Sequence, residues 1–198
     1  GGVAMVGLMH AYEATGDPRY LAAARDLVEF CSRNLLEAGT AAFRDHVADP
    51  SDVGILLNPR RPMRENVLLA RAMLRLDAQG LGADFRERAA AVLGSFSGNA
   101  AAYAVHGAAV ALGVEETIRR PLTVRIEAPV GDPAAEALRR AAARLPWTWT
   151  VIATGEKAKG PAEAVLGWRG EERRVRRAAV LAKAVEGMTG AAPRGAPG

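Results

Sequence analysis

The chain of 198 residues has one cysteine, few aromatic side chains, no initiator methionine at its start and no charge block of a single sign. Each shortage narrows the reading. A lone thiol, Cys31, cannot form an internal disulfide or a cysteine-rich metal site. It falls on the apolar stripe Leu21, Ala24, Leu27, Val28, Cys31, Leu35, so it reads as a small buried hydrophobe rather than a nucleophile. Aromatics make up 5%, and alanine fills much of the apolar quota, which favours helices that approach closely. The net charge of +4 comes from arginines interleaved with Glu and Asp. The densest run, 171–177, carries its own counter-charges and reads as a solvated helix face, which disfavours nucleic acid as a partner. No apolar run reaches the ~18 residues of a membrane helix. The opening GGVAMVGLM lacks the charged start and cleavage region of a secretion signal, so no membrane partner is expected and the cytoplasm is the default location. Because Gly1-Gly2 runs straight into a helical pattern, the chain is expected to begin inside a longer protein or to follow a processed start; the former is preferred.

What is present is helical punctuation. In LMHAYEATGDPRYLAAARDLVEF, two apolar helical patterns are joined by Thr15-Gly16-Asp17-Pro18. Gly16 suits a left-handed helix stop, Asp17 a cap, and Pro18 the first helical position, where no amide is missed. A similar unit returns at 73–96. Hairpins of this kind bury their apolar faces by stacking into a solenoid or closing into a ring. The spacing predicts helices over 3–14, 19–35, 63–78, 84–96 and 100–112, with a long connection at 37–62. Beyond Gly113 the pattern changes. Residues 122–128 and 147–153 alternate as strands, 162–168 is a third, and Asp132-Pro133 opens a helix over 134–145. The strand–helix–strand order predicts a parallel pair. A closing helix is expected over 171–188, and the Gly/Pro/Ala-rich 189–198 as a disordered tail.

Several residues, in order, resemble a known group: the HAYEATGDPRYLAAARDLVEF tract, Gly39 with Phe43-Arg44-Asp45, Pro62 with Asn66, and Val124 with Val130-Gly131-Asp132-Pro133. The group is the thioredoxin-domain-containing proteins similar to spermatogenesis-associated protein 20. The resemblance implies a mainly-α fold, with a partial (α/α) toroid of the six-hairpin glycosidase or N-acylglucosamine 2-epimerase type over 1–115. A small α/β unit over 116–188 would follow. It implies a thioredoxin-like domain elsewhere in a parent chain, and a ring cut open at its first hairpins, hence self-association. Relatives often carry cysteines around the segment that is 162–168 here; this chain has none, so no redox or metal role is carried over.

In such toroids the loops at one end form a substrate funnel, where carboxylates and histidines move protons on sugars. The matching cluster here is Phe43, Arg44, Asp45, His46, Asp49, Arg60, Arg61, Arg64 and Glu65. Asp45, His46 and Glu65 are the candidate acids and bases. Phe43, Arg60, Arg61 and Arg64 are the candidate contacts for a sugar or an anionic small molecule. The simpler alternative makes Asp45 a turn cap, His46 a solvated loop residue, and Arg64 and Glu65 a helix-start charge pattern. His10 and His106 lie beside apolar stripes and read as packed or partly exposed helix histidines; no cofactor or metal is expected. The string 155–160 lacks the Lys-Ser/Thr of a phosphate loop and reads as a turn. Two functions remain: a carbohydrate-acting or carbohydrate-binding ring, or a non-catalytic module that docks the thioredoxin-like domain.

Overall fold

The computed structural model describes residues 2–82, 84–98, 107–147, 149–156 and 159–190. These fall into two compact units. One holds the described residues up to 119 apart from 11–17; the other holds 11–17 with those from 120 onward.

The first unit is helical. It contains most of α1 (Gly2–Thr15), then α2 (Pro18–Asn34), α3 (Met63–Ala78), α4 (Phe85–Ser97) and α5 (Gly107–Ile118). Helix α3 is its centre, with α2, α4 and α5 all packed on it. It buries residues around most of its circumference, from Val67, Leu69 and Ala70 to Met73, Leu74 and Leu76, as a helix enclosed by others must. Small residues set the close approaches: a Cβ on Gly113 of α5 would lie 2.7 Å from Leu93 Cδ2 of α4. A bidentate pair ties α3 to α5, Arg71 Nε donating to Glu116 Oε2 at 2.8 Å and Nη2 to Oε1 at 2.6 Å. Arg86 of α4 completes the triangle. Its Nε donates to Asp77 at 2.9 Å and its Nη1 to the Thr117 carbonyl at 2.8 Å, meeting an acceptor that the end of α5 leaves open.

The second unit is built on a four-stranded mixed sheet, β1 (Leu122–Ala128), β2 (Thr150–Glu156), β3 (Glu163–Trp168) and β4 (Glu171–Val175), in the order β2-β1-β3-β4. β1 runs parallel to β2 and antiparallel to β3, and β3 and β4 form a hairpin. The crossover helix α6 (Pro133–Ala143) starts as expected, with the Asp132 carboxylate accepting from the Ala134 amide at 2.9 Å and Pro133 at the first position. Helix α6 and the closing α7 (Leu181–Thr189) cover one face, where Leu122, Val124, Ile126, Ile152 and Leu166 meet Leu138, Leu181 and Val185. Trp147 and Trp168 join this core edge to face, 5.0 Å between ring centroids. Arg139 of α6 is buried, donating to Thr154 Oγ1 at 3.0 Å and to the Glu13 carbonyl at 3.5 Å, while Tyr12 Oη accepts from the Thr154 amide at 3.0 Å. Gly16 has φ +73, and a Cβ there would lie 2.5 Å from an Arg139 nitrogen. The helix stop legible in the sequence is therefore also the clearance for a buried guanidinium.

The expected mainly-α, partial (α/α) toroid is not the fold; the chain is α/β. Of the two hairpin motifs, only 73–96 closes into a tightly packed helix pair, α3 with α4; α1 and α2 are joined by the expected turn but are not closely packed. The helices after residue 120 pack on a sheet instead of on another hairpin, so no ring is propagated. With the ring goes the premise for self-association at its cut edge. Within the sheet unit the helix expected over 171–188 is also corrected. Residues Arg169 and Gly170 both have positive φ (50° and 86°), which makes a two-residue hairpin turn and sends 171–175 back as a strand. Its charges blunt an exposed edge. Arg174 Nη1 donates to Glu163 at 2.7 Å and pairs with Glu127 at 3.3 Å, relieving two carboxylates that face each other directly across β1 and β3. The strand expected over 147–153 begins at Thr150, and helix α5 runs on to Ile118 rather than stopping at 112. The tail 191–198 lies outside the described residues, and no described helix is long and apolar enough to cross a membrane.

Removing Glu116 from the Arg71–Glu116 pair leaves a half-buried guanidinium without its bidentate carboxylate. Glu116→Ala is expected to lower stability in urea unfolding by about 3 kcal/mol. Arg71→Met combined with Glu116→Leu recovers most of that loss, because neither charge is then left unpaired.

Candidate functional site

Residues 43–45 run as a short extended piece held on three sides. Leu36 and Phe43 form an isolated antiparallel bridge, the Arg44 amide donates to the Leu35 carbonyl at 2.9 Å, and the Asp45 amide donates to the Arg60 carbonyl at 2.9 Å. The remaining side is closed by a side chain. Asn66, in the first turns of α3 and 1% exposed, accepts from the Phe43 amide through Oδ1 at 2.7 Å and donates through Nδ2 to the Phe43 carbonyl at 2.9 Å. Its carboxamide stands where a neighbouring strand would be, and it also donates to the Pro62 carbonyl at 2.9 Å.

This arrangement borders a cavity of about 320 Å³ in the helical unit. Met5 of α1, Cys31 and Leu35 at the end of α2, Phe43, and Leu69 of α3 supply its apolar lining. Arg44, Asp45, Arg60 and Glu65 supply its charge. Of the residues chosen from sequence, Phe43, Asp45, Arg60 and Glu65 are thus brought to one cavity with Arg44. Four others are not in its lining. Arg61 is ion-paired with Glu37 at 3.2 Å, Arg64 is exposed on α3, Asp49 closes a local turn with the Ser51 amide at 2.8 Å, and His46 stands behind Asp45.

His46 pins the long connection. Its Nδ1 faces Asp45 Oδ1 at 2.8 Å and its Nε2 faces the Leu56 carbonyl at 3.1 Å, with an Asp52 oxygen 3.6 Å from Nε2. Both ring nitrogens confront acceptors, and only the imidazolium can donate to both at once. The Asp45 hydrogen bond accordingly raises the His46 pKa above its ordinary 6.5 against desolvation, with the Leu56 bond and the Asp45 and Asp52 charges adding to the rise. For Asp45, burial pushes the carboxyl upward, but the bonds from His46 and from the Arg60 amide (3.1 Å) outweigh it and hold the carboxyl below its ordinary value. Burial pushes the Cys31 thiol up, consistent with its packed place on the apolar stripe. Beyond the cavity, His10 is held below its ordinary value by burial and then by Arg75 and Arg71. His106 lies outside the described residues.

Sequence reasoning named Asn66 only as part of a helix start and gave it no place in the site, and of the apolar lining it singled out Phe43 alone. The signal for Asn66 was a polar residue at helical spacing with Leu69, Ala70 and Met73, on the face of α3 that everything else makes apolar. Among the described residues no group of three or more His, Cys, Asp or Glu is placed to hold a metal ion.

The raised His46 pKa gives a signed pH dependence. The contribution of the pin is complete below about pH 6.5, the unfolded value, and is lost as pH rises through the higher folded value. A proton-detected titration of the His46 ring is expected to give a midpoint above 6.5, returning toward the ordinary value in Asp45→Asn. Amide protection of residues 46–58, corrected for intrinsic exchange, should fall across the same interval; a flat profile contradicts the pin.

No family model, curated protein or solved structure compared with this chain matches it, so neither the thioredoxin-domain kinship nor a glycosidase-like ring draws support from relatives, and the cavity itself is the ground for a functional reading.

Proposed function

We propose that the cavity beside α3 is a carbohydrate-binding site and that this region acts by binding rather than by proton transfer. The observation that carries the reading is the convergence of Phe43, Arg44, Asp45, Arg60 and Glu65 on one concavity of about 320 Å³. That volume sits at the lower end of the ~300–1,000 Å³ typical of small-molecule sites. A lining that combines apolar side chains with charged donors and acceptors matches a sugar, whose ring faces are apolar and whose edge is hydroxylated. Asp45 is an acceptor in this reading. Its carboxyl is held deprotonated by His46 and the Arg60 amide, which suits a hydroxyl contact and makes it a poor general acid. His46 spends both nitrogens on the loop. Glu65 is the remaining candidate from the sequence-derived acid and base set, and a single carboxyl does not make the acid–base pair of glycoside hydrolysis.

A second reading, a non-catalytic docking module for a thioredoxin-like domain, draws on a different feature. Val53, Ile55 and Leu57, on and beside a single 3₁₀ turn at Gly54–Leu57, are 73%, 67% and 65% exposed on the connection beyond His46. Exposed aliphatic side chains in succession suit a protein contact.

Isothermal titration with a panel of monosaccharides and disaccharides tests the first reading. Binding is expected for at least one sugar, weakened at least tenfold, about 1.4 kcal/mol, in Asp45→Ala and in Glu65→Ala with thermal unfolding otherwise cooperative. Absence of heat across the whole panel overturns it. The docking reading predicts instead that Ile55→Ser with Leu57→Ser abolishes capture of a thioredoxin-like domain while leaving the sugar titrations unchanged.

A further inference from the structure

We propose that the ligand of this cavity is a neutral glycoside with an apolar aglycone: the aglycone packs on the apolar lining and the sugar meets the charged residues. The inference rests on the carbohydrate reading above and names its substrate class.

The starting point is how unevenly the lining is exposed. Met5, Cys31, Phe43 and Leu69 are buried, while Leu35 and Pro62 are half-buried and keep accessible surface. Asp45, Arg60 and Glu65 are exposed, and Arg44 is half-buried. The apolar members thus belong to the interior of the helical unit and the charged members to its surface. A free monosaccharide carries hydroxyls around its whole edge. Filling this space with one turns some of those hydroxyls toward carbon, where each loses water and gains no partner.

The polar groups beside the apolar lining do not relieve this, because they are bonded already. The Leu35 amide donates to the Cys31 carbonyl at 2.8 Å, and the Leu35 carbonyl accepts from the Arg44 amide at 2.9 Å. Both main-chain groups of Phe43 are taken by the Asn66 carboxamide, which also donates to the Pro62 carbonyl. Burial keeps the Cys31 thiol protonated, and a thiol is a weak donor. The same bonds that fix 43–45 against α3 therefore leave this part of the lining with apolar contact to offer. An alkyl or aryl group is its complement, since it is driven out of water and asks for no hydrogen bond.

Charge and free polar groups assign the other half of the ligand. Arg44 and Arg60 offset Asp45 and Glu65 one for one, so the lining is balanced as it stands and a neutral ligand leaves it so. Asp45 Oδ1 is occupied by His46 and the Arg60 amide. Among the described residues the side chains of Arg60 and Glu65 have no ion-pair partner, so one donor group and one acceptor group stand open to sugar hydroxyls. A mostly apolar site with a few polar groups that set orientation is the common form of a small-molecule pocket.

The test is titration calorimetry on the full chain with the methyl and hexyl β-D-glucosides, the matching β-D-galactosides, and hexan-1-ol. The proteins are the wild type, Leu35→Asn, Leu35→Met and Glu65→Ala. In at least one series the hexyl glycoside is expected to bind the wild type at least tenfold more tightly than the methyl glycoside, and more tightly than hexan-1-ol. Leu35→Asn should bring the hexyl glycoside down to the methyl level and leave the methyl glycoside unchanged. Leu35→Met keeps the apolar surface and should keep the preference, which guards against a destabilised asparagine variant. Glu65→Ala should weaken both glycosides of that series by the same factor and leave hexan-1-ol unchanged. Methyl and hexyl glycosides bound equally, or a preference that survives Leu35→Asn, overturns the aglycone assignment while leaving the carbohydrate reading intact. Hexan-1-ol bound as tightly as the hexyl glycosides, with no heat from either methyl glycoside, overturns the carbohydrate reading itself. No binding of any of these probes, together with an empty sugar panel, overturns both.

Discussion

The carboxamide of Asn66 pairs with both backbone polar groups of Phe43, and the placement of the cavity follows from that pairing. Residue 43 lies in a 28-residue stretch between α2 and α3 that contains only one turn of 3₁₀ helix. A buried residue in such a stretch faces a hard requirement, since its amide and carbonyl lose water without a ladder to replace it. Asn66 meets that requirement from the first turns of a helix whose other inward residues are apolar. Through it the backbone at 43–45 is registered against α3, and only then do Arg44 and Asp45 come to lie on the same cavity as Glu65. The clamp also accounts for a polar residue in the most enclosed helix: an alanine there would be easier to bury but would leave two main-chain groups unmet.

The rest of the connection is held by charge rather than by packing. His46 reaches across ten residues to the Leu56 carbonyl, and its imidazolium is kept by Asp45 in front and Asp52 beside it. The aliphatic residues at 53, 55 and 57 contribute little to this, because they are exposed. A segment fixed at its base by Asn66 and farther out by one titrating ring has two levels of order. The inner level forms one wall of the cavity; the outer level hangs on hydrogen bonds that only a protonated His46 makes in full. Asp45 belongs to both, since the same Oδ1 receives the ring nitrogen and the Arg60 amide.

The parts of this fold that sequence makes legible are those decided within a few residues. Gly16 stops α1 with positive φ, Asp132-Pro133 caps α6, and the alternation in LTVRIEA is strand β1 residue for residue. Where the outcome depends on distant partners, local pattern misleads. Residues 171–175 carry four charged side chains that a solvated helix and a solvated edge strand accept equally. The positive φ at Arg169-Gly170 and the β3 partner settle the matter, with Trp168 at the end of β3 packed on Trp147. The two hairpin motifs look alike in sequence, yet α3 and α4 close and α1 and α2 do not, because residues from both members of the latter pair line the cavity: Met5 from one, Cys31 from the other. The choice of Phe43, Asp45, Arg60 and Glu65 required only that the long connection fold back on the start of α3. Arg61 and Arg64 differ from Arg60 by one and four positions, and nothing local says which of the three belongs to the cavity lining.

A chain whose apolar content is rich in alanine has a particular problem of uniqueness. Alanine favours helix and permits close approach, but it offers little shape to distinguish one packing from another. The long-range bonds from side chains to backbone supply the missing specificity. Asn66 reads Phe43, Arg86 reads the end of α5 at Thr117, and in the sheet unit Tyr12 reads Thr154 while Arg139 reads Glu13. Each of these is satisfied in only one register, so a shift by a single residue would leave buried donors and acceptors unpaired. Arg44 is the counterexample in the helical unit, a half-buried side chain whose enclosed Nε has no acceptor among the described residues.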